Sequence, residues 1–322
     1  MIHTIELQLG KLGPFVAPAS KEALKSSLSS SGFAYLALPG GLRSLPANVL
    51  REGRIFLGEA DDQAKSRVET IDGSQKRGFY RFSGTTDTGV QCFNIGREAT
   101  HPEKFRQAYF ESIDSPTELW MEASSRRNKW PNEYPKLRPA CLDYFNFAHQ
   151  AAMSVLSSID LPSTFAHGNA DSELEVKLYP GVSTGSEDRF RDHIDLTSVS
   201  LLIQDKTAGL EIFLEDFNQW VKVGMETKDT PHGRRFSSTY QVCVFLLCSN
   251  AMQATNCDEK ILCIVGRFGQ MMSIGQFRAG VHRVASAPNE GTRTSAVFFC
   301  TPDWHYQLPD GSQVGDHMPL QF

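Results

Sequence analysis

The chain has 322 residues, of which 40% are hydrophobic and 21% charged, and its formal net charge at pH 7 is -5. This composition is typical of a soluble globular protein, and the acidic balance argues against a basic surface for nucleic acid or anionic membranes. The longest apolar run, Val242–Cys248, is too short to cross a bilayer, and the N-terminus lacks a signal-peptide pattern.

The predicted elements of the first half are mainly helical. Apolar residues recur at helical spacing in most of it, with Gly32 placed to end the first helix. In chain order we predict a short strand and an irregular lead within 1–18, a helix over 20–30, a strand over 33–38, and helices over 46–68, 102–113 and 135–158.

Between two of these helices, residues 72–88 are polar and contain glycine, two arginines and three aromatic residues. We interpret this segment as a loop. Arg77 and Arg81 would suit the rim of a substrate pocket, although arginines of an ordinary solvated loop give the same pattern.

After Leu161-Pro162 the pattern changes from helical spacing to alternation. Glu173–Tyr179 alternates polar and apolar residues, and short strand-like runs with turn signals continue to Trp304. This half therefore predicts an all-β barrel or sandwich. The helices of residues 1–165 could not bury their apolar faces without the β part at 166–306, so we expect one domain, with 307–322 as a tail.

Seven cysteines are spread through the chain, and none forms a Cys-x-x-Cys pair. An odd number of scattered cysteines suits reduced thiols better than a disulfide framework. We therefore expect a cytoplasmic protein.

The clearest chemical motif is Arg-Asp-His-Ile-Asp, which ends at Asp195. Residues two apart on a strand point to the same face, so His193 and Asp195 could hold one metal ion. His282, which opens another strand-like segment, is the best candidate for a third ligand. Two histidines and one carboxylate form the facial triad of non-haem iron sites, which leaves coordination positions open for oxygen chemistry.

Eleven residues after His282, a second motif places Arg293 and Ser295 at the start of another strand-like run. On a strand these side chains share one face. A guanidinium and a hydroxyl could then converge on one carboxylate beside the metal.

These motifs, in this order, resemble the iron(II)/2-oxoglutarate-dependent dioxygenases of the isopenicillin N synthase-like family. The likeness extends from about Gly32 to Thr301, and the run from Arg293 to Phe299 is especially similar to the cephalosporin ring-expanding members. Further matching segments are Ser31-Gly-Phe-Ala-Tyr35, Lys129-Trp-Pro131, Tyr179-Pro180, Gly209–Phe213 and Trp220.

The resemblance implies a double-stranded β-helix, or jelly roll, flanked by the N-terminal helices. It implies Fe(II) bound by His193, Asp195 and His282, with O2 as oxidant, and 2-oxoglutarate held by Arg293 with hydrogen bonds from Ser295 and the Tyr179 hydroxyl. We expect a monomer that oxidises a small specialised metabolite, by hydroxylation, ring expansion or desaturation, and releases succinate and CO2.

One feature departs from the family pattern. Eighty-eight residues separate His193 from His282, about thirty more than is usual in the family. The excess falls near 224–260, and we interpret it as an inserted lobe over the barrel mouth or as residues translated from an unspliced intron.

Three other functions are compatible with parts of the sequence. Gly181-Val-Ser-Thr-Gly185 matches the nucleophile elbow of α/β-hydrolases, but the charged segment after it is too short for the helix that the elbow requires. An iron oxidase of the same fold that uses no 2-oxoglutarate would keep the Arg-x-Ser pair. A jelly roll that binds ligands without turnover is the third possibility.

Overall fold

A computed structural model of the protein describes residues 2–11, 13–69, 77–82, 89–97, 128–163, 172–181, 188–223, 260–285, 291–303 and 306–318. Thirteen strands and five α-helices are named within these ranges. The strands are β1 (Thr4–Gly10), β2 (Gly13–Val16), β3 (Phe33–Ala37), β4 (Gly78–Arg81), β5 (Gln91–Gly96), β6 (Glu173–Tyr179), β7 (Phe190–His193), β8 (Val199–Gln204), β9 (Leu210–Leu214), β10 (Gln219–Lys222), β11 (Lys260–Val265), β12 (His282–Val284) and β13 (Arg293–Cys300). The helices are α1 (Lys21–Ser31), α2 (Ser44–Glu59), α3 (Asp62–Arg67), α4 (Leu137–Ser158) and α5 (Arg267–Met272).

The strands form two sheets. The larger has nine strands in the order β2-β1-β3-β11-β8-β13-β6-β5-β4, and the smaller has four in the order β10-β9-β12-β7. Both halves of the chain contribute to the larger sheet, because β3 pairs with β11 and β5 pairs with β6. The predicted mainly β fold, a jelly roll with flanking helices, is confirmed.

The two sheets face each other across an apolar layer. Leu202 of β8, Leu262 of β11 and Val297 of β13 pack there against Leu210 and Ile212 of β9. Alternate residues of a strand point to opposite faces, so the intervening residues of the larger sheet point away from this layer.

On its other face the larger sheet carries the helices. Phe145 of α4 stacks edge-on against Phe298 of β13, with ring centroids 5.1 Å apart. Helix α2 approaches β6 so closely that a Cβ added at Gly53 would lie 2.5 Å from Val176 Cγ1. These contacts bury the apolar stripe of each helix, as the periodicity predicts.

The helical pattern predicted over 46–68 is confirmed, but it is divided. The structure has two helices, α2 and α3, because Ala60 takes an extended conformation and Asp61 begins a new helix. The Asp61 carboxylate accepts a hydrogen bond of 2.7 Å from Ala64 N. Such N-caps stabilise a helix start by about 1 kcal/mol.

The loop predicted over 72–88 is wrong in part, since Gly78–Arg81 is strand β4 and pairs with β5. Arg77 is buried and binds Glu173, whereas Arg81 is exposed. The predicted helix over 102–113, residues 182–185 of the hydrolase-like motif and residues 224–259 of the expected insertion lie outside the described residues. Among the described residues, no helix is long and apolar enough to cross a membrane.

Candidate metal centre

Strand pairing brings His193, Asp195 and His282 together. His193 ends β7 and lies directly opposite His282 on β12, and Asp195 follows two residues after His193. One Asp195 oxygen, Oδ1, is 3.5 Å from His193 Nε2 and 3.8 Å from His282 Nε2. One ligand atom from each residue lies within 4.8 Å of the others, a spacing that one metal ion between them could bridge.

Both imidazoles are oriented by backbone carbonyls. His193 Nδ1 lies 2.9 Å from the carbonyl oxygen of Arg191, and His282 Nδ1 lies 3.0 Å from that of Gly280. A carbonyl can only accept a hydrogen bond, so each Nδ1 carries a proton, and in the neutral imidazole Nε2 is then the nitrogen with the lone pair. Such contacts fix the tautomer that binds a metal ion through Nε2.

The electrostatics also suit a cation. Burial alone would raise the pKa of Asp195, but His282 and His193 hold it below its usual range. Burial lowers the pKa of His282, although Asp195 acts in the opposite direction. At neutral pH the centre therefore offers a carboxylate and a neutral imidazole, the protonation states that metal binding requires.

An orphaned atom supports the same conclusion. Asp195 is buried, and its Oδ2 has no hydrogen-bond partner among the described residues. A buried carboxylate oxygen without a partner is costly, so such an atom in a native structure calls for an explanation. A bound metal ion would supply the missing partner.

Arg283 holds the strand that carries His282. On the outer face of the smaller sheet its guanidinium binds Glu211 of β9 at 2.8 and 2.9 Å and approaches Asp188 at 3.4 Å. It also lies 4.1 Å above the ring of Trp220. Since β12 has only three residues, these side-chain contacts help to hold it between β9 and the segment that leads into β7.

We expect Arg283→Met to lower the free energy of unfolding by about 1–3 kcal/mol, measured by urea denaturation, because Glu211 would stay largely buried without its partner. Arg278→Met is the matched control. Its partner, Asp216, is half exposed, so this change should lower the free energy of unfolding by clearly less than the Arg283 change does. Equal losses in the two variants would contradict the role given to Arg283.

A second polar site surrounds Arg293, which is fully buried. Its Nη2 donates to Gln204 Oε1 at 2.7 Å, its Nη1 lies 3.4 Å from Ser295 Oγ, and its guanidinium lies over the Tyr179 ring, 4.8 Å from the centroid. Its Nε has no hydrogen-bond partner among the described residues. A buried cation with a spare donor is suited to an anionic group.

Gly209 connects this site to the metal centre. A Cβ added there would lie 3.7 Å from Arg293 Cδ and 3.3 Å from Val284 Cγ1, and its φ of +137° also favours glycine. Val284 follows His282 by two residues on β12. Gly209 therefore lies between Arg293 and β12, the strand that carries His282.

The structure thus brings each predicted site residue into one of two adjacent groups. Tyr179 meets Arg293 through the face of its ring, and the expected hydrogen bond from its hydroxyl stays a prediction. Gln204 was not among the predicted site residues. Only the pairing of β8 with β13 reveals it, because it places Gln204 opposite Ser295.

Two fungal proteins are similar to the chain in sequence, while no family model matches it. The 2-oxoglutarate-dependent dioxygenase ecdK of Aspergillus rugulosus is 23% identical over 314 residues, which cover 89% of this chain and 83% of the relative. The 2-oxoglutarate-Fe(II) type oxidoreductase ppzD of Metarhizium rileyi is 35% identical over 104 residues, 28% of this chain and 29% of the relative.

Solved structures share the fold. A 2OG-Fe(II) oxygenase family protein from Caulobacter crescentus has a TM-score of 0.64 at 18% identity, covering 89% of this chain and 83% of that one. A full-length Neurospora crassa protein in complex with alpha-KG and 5-formyluracil has a TM-score of 0.62 at 18% identity, covering 89% of this chain and 80% of that one.

The narrower likeness to the isopenicillin N synthase-like branch stays a prediction from the motifs. In its sequence relatives, its fold and its His-Asp-His cluster, the chain is similar to the 2-oxoglutarate- and iron(II)-dependent oxygenases, enzymes that require Fe(II), 2-oxoglutarate and O2.

Proposed function

We propose that this dioxygenase oxidises a small, non-polymeric specialised metabolite, with Fe(II) held by His193, Asp195 and His282 and 2-oxoglutarate held by Arg293 and Ser295. Hydroxylation is the favoured outcome over ring expansion or desaturation. For hydroxylation, O2, 2-oxoglutarate and a substrate C–H group give succinate, CO2 and a C–OH group, so one oxygen atom enters each organic product. The observation that carries the proposal is the group of three ligand atoms within 4.8 Å of one another.

When bound, Fe(II) supplies the redox chemistry that activates O2. The protein's own contribution is orientation. The carbonyl oxygens of Arg191 and Gly280 fix the two imidazoles, and Arg267 N donates to the Asp195 backbone carbonyl at 2.8 Å. A rigidly held triad keeps its open side directed at the co-substrate and the substrate.

Burial of the centre limits access of water. The side chains of Asp195 and His282 are 5% and 6% exposed, whereas that of His193 is 29% exposed. The substrate would therefore approach from the His193 side. Exclusion of water elsewhere strengthens the electrostatic contacts to bound anions.

At the co-substrate site Arg293 would bind the distal carboxylate of 2-oxoglutarate. Its charge would neutralise the anion, and Ser295 would donate a further hydrogen bond. The face of the Tyr179 ring packs against the guanidinium and supports it. In apo protein Gln204 Oε1 accepts from this guanidinium, which keeps it oriented.

The proposed substrate class follows from the motif likeness to enzymes of specialised metabolism. The complex of the Neurospora crassa protein with 5-formyluracil supports a small molecule, since the chain shares that fold. We also propose that the protein is a cytoplasmic monomer that unfolds as one unit. Its described cysteines, Cys92, Cys141, Cys263 and Cys300, are buried and form no disulfide among the described residues, in keeping with a reducing compartment.

The test is to load the protein anaerobically with Fe(II) and 2-oxoglutarate, add a metabolite library and admit O2. We expect a small metabolite to stimulate O2-dependent succinate release, with an oxidised product in matching amount. Release triggered only by a peptide or nucleic acid would contradict the proposed substrate class. Absence of iron-dependent oxidation with every compound would instead favour a jelly roll without turnover.

A further inference from the structure

A polar row crosses the inner face of the larger sheet and passes the co-substrate site. Each member lies directly opposite the next on the neighbouring strand, so the side chains share one face about 5 Å apart. From β4 to β8 the row consists of Tyr80, Cys92, Lys177, Ser295 and Gln204. Lys177 is therefore the immediate neighbour of Ser295 on this face.

Lys177 is a buried cation with a defined partner. Its Nζ lies 2.7 Å from Glu175 Oε1, and the two side chains are only 10% and 9% exposed. The other Glu175 oxygen accepts a hydrogen bond from the Tyr80 hydroxyl. Burial alone would lower the pKa of Lys177, but the Glu175 carboxylate raises it above its ordinary value, so the ammonium is charged.

The ammonium lies close to the metal centre. It is 4.6 Å from the centroid of the Phe190 ring and 6.0 Å from that of Phe299. The Phe190 ring in turn packs against His193, with centroids 4.8 Å apart. One aromatic ring thus separates the ammonium from the triad.

Stability alone does not explain why the fold contains a buried ion pair. Apolar residues of similar volume often stabilise a fold as well as such a pair does, because removing two charges from water is costly. The carboxylate takes one of the three ammonium N–H groups, and the described surroundings add two aromatic rings but no second acceptor. Spare donors beside a reaction centre are available to a ligand.

The formal charges of the iron site and the co-substrate site cancel before any substrate enters. Those of Fe(II), Asp195, Arg293 and the 2-oxoglutarate dianion sum to zero, and Lys177 is neutralised by Glu175. A substrate with a net charge would meet no counter-charge in this set, and an unpaired charge in a buried site is strongly disfavoured. A neutral molecule with an acceptor oxygen avoids this cost.

We propose that Lys177, oriented by Glu175 and Tyr80, is the polar anchor of the substrate and selects an uncharged molecule with a carbonyl or comparable acceptor. The anchor rests on the proposed function, because it needs the iron and co-substrate sites on the same face. It would hold the acceptor while the adjacent C–H group faces the triad. Lys177 then sets both the substrate class and the position of attack.

Binding can be tested without turnover by saturation-transfer NMR on the full chain loaded with Zn2+ and 2-oxoglutarate. The probes are 2-piperidone, cyclohexanecarboxylate and cyclohexylamine, which are a neutral lactam, an anion and a cation built on six-membered rings. We expect 2-piperidone to bind about tenfold more tightly than either charged probe, as one hydrogen bond to a charged donor allows.

The decisive variant is the double change Glu175→Gln with Lys177→Met. It removes both charges together, so neither is left buried and unpaired, which protects the fold. Lys260→Met is the matched control, since Lys260 also lies over an aromatic ring, 5.8 Å from the Tyr35 centroid, but outside the polar row. Thermal melting and bound zinc verify that each variant is folded.

We expect the double variant to lose the preference for 2-piperidone and the Lys260 variant to keep it. Tighter binding of a charged probe by the parent protein, or an unchanged preference in the double variant, would overturn the anchor. A double variant that lost only its affinity for 2-oxoglutarate would also overturn the anchor, because Lys177 would then bind the co-substrate. Failure of the proposed function would appear separately, as absence of iron-dependent succinate formation by the parent protein.

Discussion

Replacing Asp195 with Ala is expected to abolish tight iron binding and all iron-dependent turnover. Asp195 is the only carboxylate in the triad, and its Oδ1 lies within 4 Å of both imidazole Nε2 atoms. Loss of residues that merely orient ligands lowers metal affinity by about 10–100-fold. Loss of a ligand should therefore cost more than about 100-fold.

The same variant should behave differently in the absence of metal. In the apo protein the unpartnered Asp195 oxygen carries a desolvation cost, whereas the two histidines hold the pKa of Asp195 below its usual range and so contribute stability at neutral pH. These two effects oppose each other, and we expect the apo variant to melt close to the apo parent. Iron at 100 times its Kd stabilises the parent by about 2.7 kcal/mol, and this gain should vanish in the variant.

Metal analysis after gel filtration and melting with and without Fe(II) provide the two measurements. Asp192→Ala is the matched control, because Asp192 is an exposed carboxylate on β7, three residues before Asp195. It should keep full iron content and full metal-induced stabilisation. Unchanged iron content in the Asp195 variant would exclude Asp195 as a ligand.

The proximity of the triad residues could be predicted because the information is local. His193 and Asp195 are only two residues apart, so they lie close together even though β7 ends at His193 and Asp195 follows outside the strand. His282 could be assigned only through the family motif, because the residues next to it in the sequence do not show that it lies opposite His193. That pairing depends on the register of β7 against β12.

What could not be predicted depends on non-local register or on short elements. Gln204 reaches Arg293, and Lys177 lies beside Ser295, only because β8, β13 and β6 pair in one particular alignment. Strand β4 has four residues and α5 has six, too few to show a period. The break at Asp61 was visible in principle, because aspartate is a favoured N-cap.

Replacing Arg293 with Lys is expected to weaken 2-oxoglutarate binding by about tenfold or more, a loss of ~1.4 kcal/mol or greater. Lysine keeps the charge but lacks the planar fork that meets a carboxylate with two N–H groups. It would also lose the close contact of the guanidinium with the Tyr179 ring and the hydrogen bond to Gln204.

The control for this change is Arg51→Lys. Arg51 is 57% exposed and pairs with its neighbour Glu52, so the conservative change should leave 2-oxoglutarate affinity unaltered. Titration of each Zn2+-loaded protein with 2-oxoglutarate, followed calorimetrically, measures affinity without turnover. Melting curves establish that the Arg293 variant is folded, which matters because Arg293 is fully buried.

The kinetic pattern distinguishes a binding role for Arg293 from general damage to the site. The guanidinium would bind the distal carboxylate of 2-oxoglutarate, which takes no part in bond breaking, so its contribution should be the same in the ground state and the transition state. The variant should therefore show a raised KM for 2-oxoglutarate with kcat nearly unchanged at saturation. A fall in kcat at unchanged KM would contradict this role. Full-rate substrate oxidation by the parent protein without 2-oxoglutarate would point to the oxidase-type relatives, because those enzymes keep the Arg-x-Ser pair and need no co-substrate.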